Sequence, residues 1–170
     1  LFDGDKLLMT DNDIALEIEG FGHTTKVLSA KRTSESEEIE APFYKQAKFS
    51  ANYNALTLTL KGGINLEMRA YNSGIAYRFV TTDKKKVYII TDETAEFNFT
   101  GRNYNVYIPY STNKENPEAM AFQATYEVAS LEQMTAQLAF TPLTVDCHTA
   151  KVTIMESDLE SYPGLFIQPS

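Results

Sequence analysis

The chain has 170 residues, the size of one ordinary domain, which buries about 70% of its unfolded surface and folds without disulfides or a metal. Twenty-three acids against 15 bases give a formal charge of −8, which excludes the basic surface that a phosphate backbone demands. Cys147 stands alone, so no internal disulfide forms, and no apolar run approaches the ~18 residues of a membrane-spanning helix. Ten Tyr and ten Phe with no Trp lean toward strands, where aromatic rings pack on a pleated face. The chain opens on Leu1 without a signal-peptide pattern, and it reads as a single domain over residues 1–170, cut at both ends from a longer protein.

Period-two alternation dominates, as half-buried strands require. Ile14, Leu16 and Ile18 alternate, and residues 26–30 are expected to pair with them. Gly20-Phe21-Gly22 reads as a turn. Residues 33–40, rich in Ser and Glu, read as a loop. Leu56, Leu58 and Leu60 share a face, as do Leu66, Met68 and Ala70. Asn72-Ser73-Gly74 then predicts a hairpin with a three-residue loop and Gly74 in the left-handed region, leading into Ile75, Tyr77 and Phe79. Lys84, Lys85 and Lys86 solvate a turn. Further strands are predicted at 87–90, around Ala95, Phe97 and Phe99, and through Tyr104, Val106, Ile108 and Tyr110. After a polar loop at 111–118, the alternation predicts strands at Phe122 to Val128, Ala136 to Phe140, Val152 to Ile154 and Leu165 to Ile167. Ser130 and Gln133 have capping-box spacing for one helical turn. Many short strands and almost no helix predict an all-β, two-layer antiparallel β-sandwich.

Catalytic signatures are absent: there is no nucleophile elbow, P-loop or zinc-protease motif. Two histidines, His23 and His148, with one cysteine do not make a zinc site. With 23 acids, no carboxylate pair stands out for glycosidic hydrolysis. Arg69 and Arg78 sit inside alternating strands, where they form structural ion pairs, lie on a solvated face, or support a surface used by a neighbouring domain. Glu156, Asp158 and Glu160 crowd one strand end before Tyr162-Pro163-Gly164 bends the backbone. Glu156 and Asp158 project to one side of an extended chain. Together they supply two to four of the six to eight oxygens that Ca²⁺ takes, so this is either a solvated acidic turn or a half-site finished by another domain.

Four segments, "RAYNSGIAYRF" (69–79), "ETAEFNF" (93–99), "PLTV" (142–145) and "IMESDLESYPGLF" (154–166), resemble the N-terminal domain of glycoside hydrolase family 97 in order and spacing. The family includes bacterial α-glucosidases and α-galactosidases. The likeness is strongest from Asn52 to Phe166, and its departures are mild: Asn72-Ser73 where acids are common, Phe79 for Tyr and Leu165 for Met. The resemblance implies a galactose mutarotase-like supersandwich preceding a catalytic (β/α)₈ barrel that supplies the catalytic groups, none of which lie in this chain. It implies a calcium ion shared between sandwich and barrel, with Glu156 as the sandwich's ligand and Asp158, Tyr162, Arg69 and Arg78 supporting the interface or pocket. It also implies a periplasmic or secreted hydrolase of α-linked oligosaccharides that is active as the whole protein and inactive as this piece. The family pattern has an opening strand pair before anything like Leu1; were those strands absent, one sheet would have an unpaired edge, which invites self-association.

Two other classes compete with this reading. A free-standing carbohydrate-binding module would use Tyr104, Tyr107 and Tyr110 as an exposed sugar platform. A structural or adhesive sandwich would carry no sugar chemistry at all.

Overall fold

The computed structural model describes residues 1–170 except Thr25, Tyr44, Met120, Ala121, Asp158, Glu160 and Ser161. The described residues form strands, turns and a single 3₁₀ turn, and all strand pairings are antiparallel. The all-β antiparallel class expected of a β-sandwich is therefore what the chain adopts. By contacts it divides into two compact units, Leu1–Asn12 with Phe97–Ser170, and Asp13–Glu96.

The first unit begins with β1 (Phe2–Asp3) and β2 (Lys6–Leu7), a minimal hairpin. The second unit then contributes β3 (Ile14–Ile18), β4 (Gly22–His23), β5 (Val27–Glu40), β6 (Lys48–Leu60), β7 (Ile64–Tyr71), β8 (Gly74–Thr81) and β9 (Ile90–Ala95). These form two sheets, ordered β4-β3-β9 and β5-β6-β7-β8. Gly20 and Gly22 both hold positive φ, so the β3–β4 link is the turn expected there. Leu16 and Ile18 of the first apolar alternation pack against Ile64, with Phe79, Tyr88 and Ile90 around them.

The chain re-enters the first unit with β10 (Asn105–Ile108), β11 (Glu127–Ser130), the 3₁₀ turn (Leu131–Gln133), β12 (Leu143–Asp146) and β13 (Lys151–Ile154). The sheet order is β11-β10-β12-β13. Tyr104, Val106, Ile108 and Tyr110 all face its core, beside Leu143, Val145, Cys147 and Ile154. Each such side chain contributes about 1.5–3 kcal/mol by leaving water. The capping box is half made. Gln133 Oε1 accepts from the Ser130 N–H at 3.4 Å, while Ser130 Oγ is buried with no partner among the described residues.

Several sequence expectations are corrected. Residues 33–40 are strand, not loop: they pair with residues 48–55 of β6 in unbroken register. Both faces of that ribbon are largely exposed, so no apolar alternation announces it. Residues 27–30 accordingly pair with β6 rather than β3, whose neighbours are β4 and β9. Tyr71 pairs directly with Gly74, so the β7–β8 turn has two residues and Gly74 needs no left-handed φ. The strand expected at 87–90 begins instead at Ile90, and the one at 122–128 is reduced to β11. Around Leu138 the ladder thins to bridges of Ala139 with Tyr110 and Ile167. Pro109 and Pro142 flank this stretch and have no N–H to extend it.

Candidate functional site

The acidic strand end is built by register. Leu143 pairs with Ile154, so two residues further along the same row Thr141 lies opposite Glu156. On its other side Ala139 bridges Ile167, which sets Thr141 beside Leu165. Glu156 closes this row. Its Oε1 accepts from the Thr141 hydroxyl at 3.0 Å and its Oε2 accepts from the Leu165 N–H at 2.7 Å. The side chain is half-buried, and both bonds are to a carboxylate, which makes them stronger than neutral ones. The returning segment after Tyr162-Pro163-Gly164 is thus pinned to the sheet through Glu156.

Next to this row the rings of Tyr126, Phe122, Phe140 and Phe166 run in edge or tilted contact, with centroids 5.4, 6.0 and 5.4 Å apart in turn. Tyr126 donates its hydroxyl to Pro142 O at 3.2 Å. The rings stiffen the backbone on which Thr141 stands. Sequence alternation placed Phe122, Tyr126 and Phe140 in strands and missed this cluster, because ring–ring packing between loops leaves no period.

The chemistry of Glu156 suits a hard cation. Each oxygen has one further lone pair after its hydrogen bond, and the two bonds orient the group. It fits as one ligand, not as a site: among the described residues no three His, Cys, Asp or Glu side chains gather to hold a metal. Asp158 lies outside the described residues. Tyr162 is exposed at the bend.

Arg69 and Arg78 belong to the second unit and each has a partner within the sheet. Arg78 faces its cross-strand partner Glu67, whose Oε2 accepts from Nε and Nη2, each at 2.8 Å. Arg69 lies over the Tyr53 ring, 4.4 Å from its centroid, and 3.9 Å from Glu37. The Tyr53 hydroxyl donates to Glu37, which raises its pKa above the usual tyrosine value. Both arginines are therefore partnered by their own sheet. The sugar platform expected of a binding module does not form. Tyr104 and Tyr110 are 5% and 6% exposed in the core, and Tyr107 is half-buried.

The described residues are thus all-β, with one oriented carboxylate, Glu156, at a strand end. A family model described as glycosyl-hydrolase 97 N-terminal matches residues 1–170, and the chain belongs to that family. It is 35% identical over 173 residues to a retaining alpha-galactosidase of Bacteroides thetaiotaomicron, a match covering 96% of this chain and 26% of that protein. Solved structures of a glycoside hydrolase family 97 enzyme from a Pseudoalteromonas species share the fold. The acarbose complex superposes with TM-score 0.76 at 17% identity, covering 98% of this chain and 26% of that one. A variant of the enzyme gives TM-score 0.77 at 19% identity with the same coverage. The chain thus spans about a quarter of the length of these relatives.

Proposed function

We propose that this chain is the non-catalytic N-terminal domain of a calcium-dependent glycoside hydrolase, followed in the same polypeptide by a catalytic barrel on which it packs. Family membership and the quarter-length coverage of its relatives support the reading. The observation that carries it is Glu156, whose two oxygens are fixed by Thr141 and Leu165 at the end of β13. In that position the carboxylate presents its remaining lone pairs as one hard ligand, and barrel side chains complete the shell. Bound calcium would hold the sugar and stabilise charge developing in the transition state. Thr141 and Leu165 position Glu156 and do not themselves take part in the chemistry. The retaining alpha-galactosidase relative favours α-galactosides as substrates ahead of α-glucosides. The periplasm or the cell exterior is the location that goes with oligosaccharide substrates.

The test is Glu156→Gln in the full-length enzyme, with calcium titration calorimetry and turnover on aryl α-galactosides and α-glucosides. Loss of a supporting partner alone weakens a metal site about 10–100-fold, so loss of a ligand weakens calcium binding at least tenfold and lowers kcat. Unchanged calcium affinity and rate would remove Glu156 from the site.

A further inference from the structure

The four-stranded sheet of the second unit ends on β5, which pairs with β6 on one side and with no other described strand. Twelve of its 14 residues are exposed, and Thr33 and Ile39 are half-buried. Its outer row of N–H and C=O groups is a template for another strand. Charge is segregated along it, with Lys31 and Arg32 ahead of Glu35, Glu37, Glu38 and Glu40. Glu37 is engaged by Tyr53 and Arg69, and Glu40 by Lys48. Lys31, Arg32 and Glu35 have no ion-pair partner among the described residues.

We propose that β5 is a self-recognition edge, pairing antiparallel with β5 of a second copy about a twofold axis at Thr33, so that Lys31 of each copy meets Glu35 of the other. The register follows from three constraints. Outward backbone groups and side-chain faces both alternate, so partners must share odd or even numbering. Like charges directly opposite each other are destabilising. Centring the pair on Glu35 or on Lys31 sets that residue against its own copy, and centring it on Ser34 directs Lys31 to the engaged Glu37. An in-register parallel pairing sets like against like throughout. Only the Thr33 centre yields two Lys31–Glu35 pairs and leaves the Glu37–Tyr53–Arg69 cluster intact.

The β-bulge between Val27 and Ser29 ends the usable edge at Ser29, so the ladder runs from Ser29 to Glu37 on each copy, about 30 Å. Such a ladder buries less than the roughly 1,600 Å² of a standard stable interface, so the dimer is weak. Its charge pairs are exposed, so salt loosens it.

Sedimentation equilibrium on this chain, over a concentration series reaching the sub-millimolar range at low and high salt, tests the proposal. The unaltered chain dimerises, and less so in high salt. Lys31→Glu alone and Glu35→Lys alone each turn two attractive pairs repulsive and weaken association about tenfold or more. The double reversal restores it, and an equimolar mixture of the two single variants associates as a heterodimer. Far-UV circular dichroism confirms that each variant is folded, as exposed positions allow. A monomer at every concentration, single variants that associate as well as the unaltered chain, or failure of both the double variant and the mixture to recover association overturns the proposal.

Discussion

Glu156 acts in this chain as a clasp before it acts as anything else. Its two hydrogen bonds tie the segment at Leu165 to the β12 side of the sheet through Thr141. That Glu156 stood out in an acidic cluster was legible from the string. That Thr141 would face it was not, because the pairing joins residues 15 apart through a register set by β12 and β13. Tyr77 shows the same dependence on partners. Burial, helped by the charge of Glu93 and a 3.4 Å hydrogen bond to it, pushes the Tyr77 hydroxyl up to about 12. The folded chain then holds the proton more tightly than the unfolded chain. The stabilisation is whole below about pH 10 and is lost as pH rises from about 10 to about 12, amounting to about 3 kcal/mol before solvent screening of the half-buried group. Urea unfolding across that range shows the loss in the unaltered chain and a flatter dependence in Tyr77→Phe. Equal slopes would contradict the assignment.

Elements are shaped by what covers them. The β10 strand reads correctly from its alternation because one face is the core and the other is not. The turn that precedes it depends on a glycine whose role no local pattern announces. A Cβ on Gly101 would lie 2.4 Å from the Tyr104 ring, which is itself buried, edged by His148 at 5.3 Å and overlain by the Lys6 ammonium at 5.2 Å. Gly101→Ala must displace that ring. The expected cost is about 1–3 kcal/mol in urea denaturation, with the near-ultraviolet tyrosine signal altered. A neutral substitution would mean the ring has room to move. The β5 strand is the opposite case. Its Ser- and Glu-rich stretch was read as a loop because apolar periodicity reports burial, and a ribbon exposed on both faces buries nothing for the pattern to mark.

At the scale of the whole chain, order should follow burial rather than strand length. Val106, Ile108 and Val145 are fully enclosed in the first unit, whereas β5, the longest strand, is almost all surface. Backbone amides of β10 and β12 are expected to exchange slowest in hydrogen-exchange measurements, and those along β5 to exchange far faster. Uniform protection across the two would show that the edge is covered. The net charge of −8 keeps such an edge from aggregating indiscriminately, while the segregated charge of β5 selects one partner and one direction.

The amino-acid string alone determined the all-β class, the hairpin stem of β7 and β8, the shared face of Tyr104, Val106, Ile108 and Tyr110, and the family. These rest on local period and short motifs, which survive without knowledge of the fold. Only the tertiary structure decided that Tyr104 and Tyr110 are core rather than sugar platform, that Arg69 and Arg78 are satisfied within their own sheet, and that residues 33–40 form an edge. Burial, pairing register and the identity of a charged group's partner are properties of segments far apart in sequence, and no local pattern encodes them.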